Sequence, residues 1–363
     1  MREQRKQKRV HCVLQSVCMW CMMYSFLGHC TLLNNKNQHG NNQKKRNFDQ
    51  PFSEKNFLEV DDSCKELPTI LPAGSFFLDK GIQMGSSPDA VDPPFHVGTV
   101  FKDKNKVSWH MMADIANFYL IKELLKGNER GVALDIGANQ GFYTYYLASL
   151  GMDVHSFEIN EANFRALQHG KEFNPIEVAN RVYLYPLGLG EKNERFDIKG
   201  SNYEGFLRKS EKGSILGVSL DCLAFHLHQS LDFTKIDFIK LDVEGFEIAV
   251  LKGAQNFLFQ HSNLKGLLAE VGPIRWERAS ISFSTGVHEL KRLSTLFKLS
   301  YILLREEDHA ATCPVTLGDR ILKDTEPQVF HGVQMYKIDH QEWEPLLKKM
   351  EANKMDCNIF FKN

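Results

Sequence analysis

The stretch VALDIGANQG, residues 132–141, decides the fold of this 363-residue chain. Its first five residues are apolar apart from Asp135 and predict a short buried strand. The glycines and Asn139 that follow predict a tight turn, and residues 142–150 predict a helix that ends at Gly151. The stretch is therefore a strand that passes through a glycine-rich turn directly into a helix.

The same alternation of strand and helix continues along the chain. The hydrophobic pattern predicts helices over 109–126, 162–173 and 246–259, and strands over 154–158, 182–187, 236–241 and 267–271. Such alternation is typical of a mostly parallel sheet with helices on both faces. We expect an α/β three-layer sandwich that binds its ligand at the carboxyl ends of the strands.

Five residues in and after the turn are predicted to bind a cofactor: Asp135, Gly137, Asn139, Gly141 and Glu158. Gly137 permits the sharp turn, and Gly141 lets the ligand and the next helix approach the backbone. Glu158 ends the next strand, where a carboxylate can accept hydrogen bonds from two ribose hydroxyls. A dinucleotide site has similar spacing, but Asn139 replaces the glycine that admits a pyrophosphate, and Asp135 would repel its charge. The pattern favours the cationic S-adenosylmethionine and leaves a dinucleotide or a purely structural turn as alternatives.

A second cluster of carboxylates follows the strand predicted at 236–241. A hydroxyl that receives a methyl group loses a proton, so a general base assists the reaction. Asp242 and Glu244 are the predicted catalytic residues, and helix capping is the alternative for Glu244. Glu247 is expected to be structural. A divalent metal held by Asp242, Glu244 and Glu270 is a further alternative, but no other ligand spacing supports it and we predict no metal.

Four motifs together resemble the FkbM family of methyltransferases. They are DIGANQG at 135–141, the acid Glu158, KLDVEGFE at 240–247 and LKGA at 251–254. All four occur in the family's order and at compatible spacing, over roughly residues 125–340 of the chain.

The resemblance implies a class I methyltransferase (Rossmann-like) fold with S-adenosylmethionine as the cofactor. It also implies O-methylation of a hydroxyl on a sugar, a glycan or a small metabolite. Two alternatives stay open. One is a catalytically degenerate methyltransferase that acts as a binding protein, and the other is an NAD-dependent oxidoreductase.

The N-terminus predicts membrane targeting. Residues 1–9 form a basic flank, and residues 10–33 contain no Asp, Glu, Lys or Arg. A run of this length is just enough to span a bilayer, and the basic flank places the N-terminus in the cytosol. We expect a single-pass anchor with the catalytic domain in the lumen of the secretory pathway. A cleaved signal peptide, which would give a secreted protein, and a cytosolic extension remain alternatives.

The rest of the chain divides by composition into four parts. We expect a disordered polar stem over 34–50, an irregular extension over 51–107, the methyltransferase-like domain over 108–345 and a C-terminal tail over 346–363.

Charge and cysteine content bound the function further. The formal net charge of −1 provides no field for binding nucleic acid. Beyond the N-terminal run there are four cysteines, which allow two disulfides in an oxidising compartment with three possible connectivities. They are Cys64, Cys222, Cys313 and Cys357.

Overall fold

The structure is a computed structural model. It describes residues 64, 83–86, 91–99, 104–127, 130–199, 206–210, 213, 215–227, 236–260, 264–305, 313 and 326–363. The predicted basic flank, membrane anchor and stem over 1–50 lie outside the described residues, as does most of the extension over 51–107. None of the helices in the described part has the length and apolarity that a membrane span requires.

Strands and helices alternate through most of the described chain. In chain order the strands are β1 Gln83–Ser86, β2 His96–Thr99, β3 Val132–Ile136, β4 Asp153–Phe157, β5 Val182–Tyr185, β6 Gly188–Gly190, β7 Glu194–Lys199, β8 Phe206–Lys209, β9 Ile215–Ser219, β10 Ile236–Leu241, β11 Gly266–Val271, β12 Leu299–Arg305, β13 Gln328–Phe330, β14 Val333–Lys337 and β15 Cys357–Lys362. The helices are α1 Lys104–Leu125, α2 Phe142–Ser149, α3 Glu161–Phe173, α4 Ile176–Ala179, α5 Leu220–Leu227, α6 Glu247–Lys252, α7 Gln255–Gln260, α8 Phe283–Ser294 and α9 Trp343–Ala352, with a 3₁₀ helix over Pro273–Ala279.

A nine-stranded mixed sheet forms the centre of the unit Phe52–Asn363. Its strand order is β13-β14-β12-β15-β11-β10-β3-β4-β5. The five strands from β11 to β5 run parallel, and the remaining four are joined by antiparallel pairs. All five predicted strands are the parallel ones.

Strand β3 shows why this sheet carries helices on both faces. All five of its residues are buried. Val132, Leu134 and Ile136 pack into one apolar cluster, to which α5 to α9 contribute, whereas Ala133 packs into a second cluster with α1, α2 and α3. A strand buried on both faces reads as a continuous apolar run, which is typical of parallel sheets. The predicted α/β three-layer sandwich is confirmed.

A second sheet of four strands, in the order β6-β9-β7-β8, is inserted between β5 and α5. It was not predicted from the sequence. Its strands are three to six residues long, and, in contrast to the parallel strands, no helix of the described part separates one from the next.

The predicted C-terminal tail over 346–363 is wrong. Strand β15 lies between β11 and β12, inside the large sheet, and α9 precedes it. Ile359 and Phe361 are fully buried. The strand was not predicted because its partners in the sheet, β11 and β12, lie far from it in the sequence.

Two further predictions are corrected. The helix predicted over 246–259 is two helices, α6 and α7, separated by Gly253, which lies against the end of β6. A Cβ on Gly253 would stand 2.0 Å from the carbonyl oxygen of Gly190. The extension over 51–107 is not wholly irregular, since β1 and β2 form a small antiparallel sheet within it.

The cysteines of the folded part form two disulfides, Cys64–Cys222 and Cys313–Cys357. The sequence allowed three connectivities. In the one observed, Cys313, which lies between β12 and β13, is bonded to Cys357, the first residue of β15. The other bond ties Cys64 to α5.

The burial of β15 predicts a large effect of truncating Phe361. Its ring stacks on Trp343 at 5.8 Å between centroids and touches Phe297 at 5.5 Å. We expect Phe361→Ala to lower the free energy of unfolding in urea by about 3–5 kcal/mol. Val329, 69% exposed on the edge strand β13, supplies the control, and Val329→Ala should change it by less than about 0.5 kcal/mol. Equal, small effects of both substitutions would contradict the placement of β15.

Candidate active site

A pocket of about 680 Å³, its open mouth included, lies at the carboxyl ends of β3, β4, β5 and β10. This is the edge at which parallel α/β sheets bind ligands. The lining comes from the four loops that follow these strands: Ile136, Gly137, Asn139, Phe157, Glu158, Ile159, Asn160, Asn163, Leu187, Gly188, Leu189, Asp242, Val243 and Glu244.

The turn after β3 is in direct contact with the loop after β10. Gly137 has a φ of 83°, a left-handed conformation that suits glycine. A Cβ on Gly137 would lie 1.7 Å from the carbonyl oxygen of Asp242, and the amide of Asp242 donates to the carbonyl of Ile136 at 2.9 Å. The absence of a side chain at Gly137 therefore brings the first turn and the acidic loop together.

Glu158 lies in the pocket wall at the end of β4. Its Oε2 accepts a hydrogen bond from the amide of Asn139 at 2.7 Å, and its Oε1 accepts one from the amide of Asn160 at 2.6 Å. The side chain is only 7% exposed. Burial raises the pKa of Glu158 to about 7, so the carboxyl is close to half ionised at neutral pH.

Asp135 and Gly141 lie outside the pocket lining. The Asp135 carboxylate is buried and accepts a hydrogen bond from the hydroxyl of Thr144 on α2, and burial raises its pKa to about 6. A Cβ on Gly141 would meet the side chains of Leu167 and Tyr145 at 2.7 Å. Both residues thus hold α2 and α3 against the turn, and their contact with a cofactor stays a prediction.

Asp242 is held ionised by two neighbours. The ammonium of Lys240 lies 3.1 Å from Oδ2 of Asp242 and also sits 4.9 Å from the ring centre of Tyr143. Glu270, at the end of the adjacent β11, shares a side-chain hydrogen bond with Asp242. Burial and the negative charge of Asp242 raise the pKa of Glu270 well above its usual value, so Glu270 keeps its proton and donates it. Although burial acts in the opposite direction, Lys240 and this bond lower the pKa of Asp242.

Glu244 lines the pocket but is engaged by arginines. It has a left-handed φ of 56°, and its carboxylate forms an ion pair with Arg275. Arg275 also pairs with Asp356, and Arg278 donates to the carbonyl of Glu244 at 2.8 Å. Glu244 is therefore not the cap of the following helix.

Glu247 accepts the hydrogen bonds that fix the backbone of the loop after β10. Its Oε1 accepts hydrogen bonds from the amides of Val243 at 3.1 Å and Gly245 at 2.9 Å. Glu247 is buried, and burial raises its pKa to about 7. The side chain fixes the loop backbone from behind and does not line the pocket, as expected for a structural acid.

Three features of this region were not predicted from the sequence. They are the hydrogen bond of Glu270 with Asp242, the ion pair of Arg275 with Glu244 and the position of Asn163 in the pocket lining. Asn160 caps α3 by accepting from the amides of Ala162 and Asn163, and an asparagine three residues before Asn163 is the signal that could have located this helix start.

All residues that line the pocket lie within a segment of the chain that matches a known protein family. Residues 135–280 match the family described as the methyltransferase FkbM domain. No curated protein matches the chain.

The chain is also similar to solved methyltransferase structures. An S-adenosylmethionine-dependent methyltransferase from Agrobacterium tumefaciens is 10% identical with a TM-score of 0.39, over 84% of this chain and 80% of that chain. A precorrin-6y C5,15-methyltransferase from Geobacter metallireducens is 10% identical with a TM-score of 0.30, over 61% of this chain and 84% of that one.

The lining of the pocket fits S-adenosylmethionine. Every ionisable residue of the lining is an acid: Glu158, Asp242 and Glu244. Such a wall suits a sulfonium and an ammonium and opposes a pyrophosphate. Oδ1 of Asn139 is buried and accepts no hydrogen bond from the described residues, so it is available to a donor of the ligand.

Within the part of the chain that the structure describes, no group of three or more His, Cys, Asp or Glu side chains could hold a metal ion. Two of the three carboxylates considered as metal ligands form ion pairs instead. Asp242 pairs with Lys240, and Glu244 pairs with Arg275.

The raised pKa of Glu158 predicts a pH-dependent affinity for S-adenosylmethionine. The ionised carboxylate accepts ribose hydroxyls better than the neutral form, so affinity should rise about tenfold between pH 6 and pH 8. Glu158→Gln should flatten this rise and weaken binding about tenfold at pH 8, as measured by calorimetry.

The control for this prediction is Glu161→Gln, three residues further along at an exposed position on α3. The cofactor's own amino group titrates equally against every variant, so only the difference between variants is informative. Wild-type affinity and wild-type pH dependence in Glu158→Gln would refute a cofactor role for Glu158.

Proposed function

We propose that the FkbM domain transfers the methyl group of S-adenosylmethionine to a hydroxyl oxygen of a sugar, a glycan or a small metabolite. The observation that carries this proposal is the presence of Glu158 and the ionised Asp242 in the lining of one pocket. Glu158 offers acceptors for a ribose, and Asp242, which follows the strand two positions away in the sheet, offers a proton acceptor.

The bound cofactor supplies an electrophilic methyl group on a cationic sulfur. Asp242 accepts a hydrogen bond from the hydroxyl of the acceptor molecule. This bond orients the hydroxyl oxygen towards the methyl group. Because its pKa is lowered, Asp242 is a weak base and takes the proton late, when the oxygen has gained positive charge and become strongly acidic. Asp242 is 33% exposed, so it then passes the proton to solvent.

Glu244 has a different part in this proposal. Its carboxylate is neutralised by Arg275, which makes it a poorer proton acceptor than Asp242. We assign it the orientation of the acceptor molecule at the rim of the pocket, with the Arg275 pair holding its side chain in place.

We also propose that the domain lies in the lumen of the secretory pathway or outside the cell. Two disulfides in the described part support an oxidising compartment, and the apolar run over 10–33 supports an anchor or a signal peptide. Protease treatment of sealed vesicles should leave a C-terminal tag intact until detergent is added. Loss of the tag without detergent would overturn the luminal location.

The general-base role predicts a rate effect in Asp242→Asn. We expect methyl transfer from labelled S-adenosylmethionine to pools of glycans and hydroxylated metabolites to fall at least about 100-fold. The dissociation constant for the cofactor should stay within about fivefold, since the loss falls on the chemical step.

The matched control is Asp237→Asn, near the amino end of the same strand, β10, where Asp237 pairs with Lys265 at 3.5 Å. It should keep the wild-type rate. Unchanged turnover in Asp242→Asn would remove the base role. Tight cofactor binding by the wild type without transfer to any pool would favour a catalytically inactive binding protein.

A further inference from the structure

One buried acceptor in the pocket is not used by any of the roles above. Asn163 stands on the first turn of α3 and is only 3% exposed. It lines the pocket, and its Oδ1 accepts no hydrogen bond from the described residues. A buried amide oxygen without a donor costs about 1–3 kcal/mol, so in a ligand pocket such an atom points to a donor on the ligand.

The order of the strands places Asn163 along the bound cofactor. From β10 through β3 and β4 to β5 the sheet spans three spacings of about 4.8 Å each. Asp242 follows β10, Asn139 follows β3, Glu158 and Asn163 follow β4, and Leu187 follows β5. If Asp242 is the proton acceptor, as proposed above, the methyl group of a bound cofactor would lie close to Asp242 and the adenosyl part would extend towards β4 and β5.

The donors of the adenosyl part can be matched to these acceptors. Each oxygen of Glu158 already accepts one backbone amide and retains capacity for one ribose hydroxyl. Asn139 belongs to the turn nearer β10, on the side of the methionyl part. The donor that remains on the far side of the ribose is the exocyclic amine of adenine.

The apolar residues at that end agree with a ring system. Ile159, Leu187 and Leu189 line the pocket beside the ends of β4 and β5, and apolar walls with a few placed polar atoms are typical of sites for flat heterocycles. A carboxylate is not required there, since the amine is neutral. A neutral amide acceptor such as Asn163 suits it.

We propose that Asn163 determines the specificity for adenine by accepting a hydrogen bond from its exocyclic amine. The test is binding rather than turnover, so it does not depend on the acceptor molecule of the proposed O-methylation. The probes are S-adenosylhomocysteine and its deamino analogue, in which hydrogen replaces the amine, each titrated into the full chain by calorimetry.

The wild type should bind S-adenosylhomocysteine about tenfold more tightly than the deamino analogue. Asn163→Leu should lose this preference, by weakening S-adenosylhomocysteine about tenfold while leaving the analogue's affinity unchanged. Asn163→Asp keeps an acceptor oxygen and should keep the preference. Gln168→Leu changes a buried polar residue on the same helix outside the lining, and it should also keep it.

Three results would overturn the proposal. One is equal affinity of the wild type for both probes, which can be seen even if a variant fails to fold. Another is an equal loss for both probes in Asn163→Leu, which would indicate a structural role. The third uses a further probe, an analogue of S-adenosylhomocysteine that lacks one ribose hydroxyl. If Asn163→Leu weakens the binding of every probe except this one, Asn163 binds the ribose and not the adenine.

Discussion

The contact between Gly137 and the backbone of Asp242 is the constraint on which the site depends. The turn after β3 and the loop after β10 come from chain segments about a hundred residues apart, and β3 and β10 are neighbours in the sheet. Only a residue without a side chain lets the carbonyl of Asp242 approach this closely. The contact joins the predicted cofactor turn to the predicted catalytic acid in one pocket.

The charges around this contact are arranged so that one carboxylate stays ionised and accessible. Lys240 and the protonated Glu270 hold Asp242 in its charged form. Arg275 neutralises Glu244 and Asp356 together. Burial raises the pKa of Glu158 to about 7, so this carboxyl is close to half ionised at neutral pH. Neighbouring acids thus differ in protonation because their partners and their burial differ, which is a common feature of sites that carry out proton transfer.

The parallel half of the sheet was predictable from the sequence because its signals are local. Strand β3, its glycine turn and α2 form one continuous pattern, and β10 leads directly into its carboxylates. The antiparallel half was not predictable in this way. Strand β15 pairs with β11 about ninety residues earlier in the chain, and nothing within its own six residues specifies that partner.

The residues of the site also differ in whether the sequence could predict them. Gly137, Asn139, Glu158, Asp242 and Glu244 follow strands with recognisable patterns, and the structure places all five in the lining. The pairing of Glu270 with Asp242 and the unpartnered oxygen of Asn163 depend on which strands are adjacent. Such contacts arise only when the chain has folded, so residue type and spacing did not reveal them.

The most direct test of the account is the affinity of Gly137→Ala for S-adenosylmethionine, measured on folded protein beside Gly190→Ala. A Cβ on Gly190 meets nothing within 4 Å, so that variant controls for adding a methyl group near the pocket. If the contact of Gly137 with Asp242 builds the site, Gly137→Ala should weaken cofactor binding at least about tenfold and Gly190→Ala should not. Wild-type affinity in a folded Gly137→Ala protein would contradict the account.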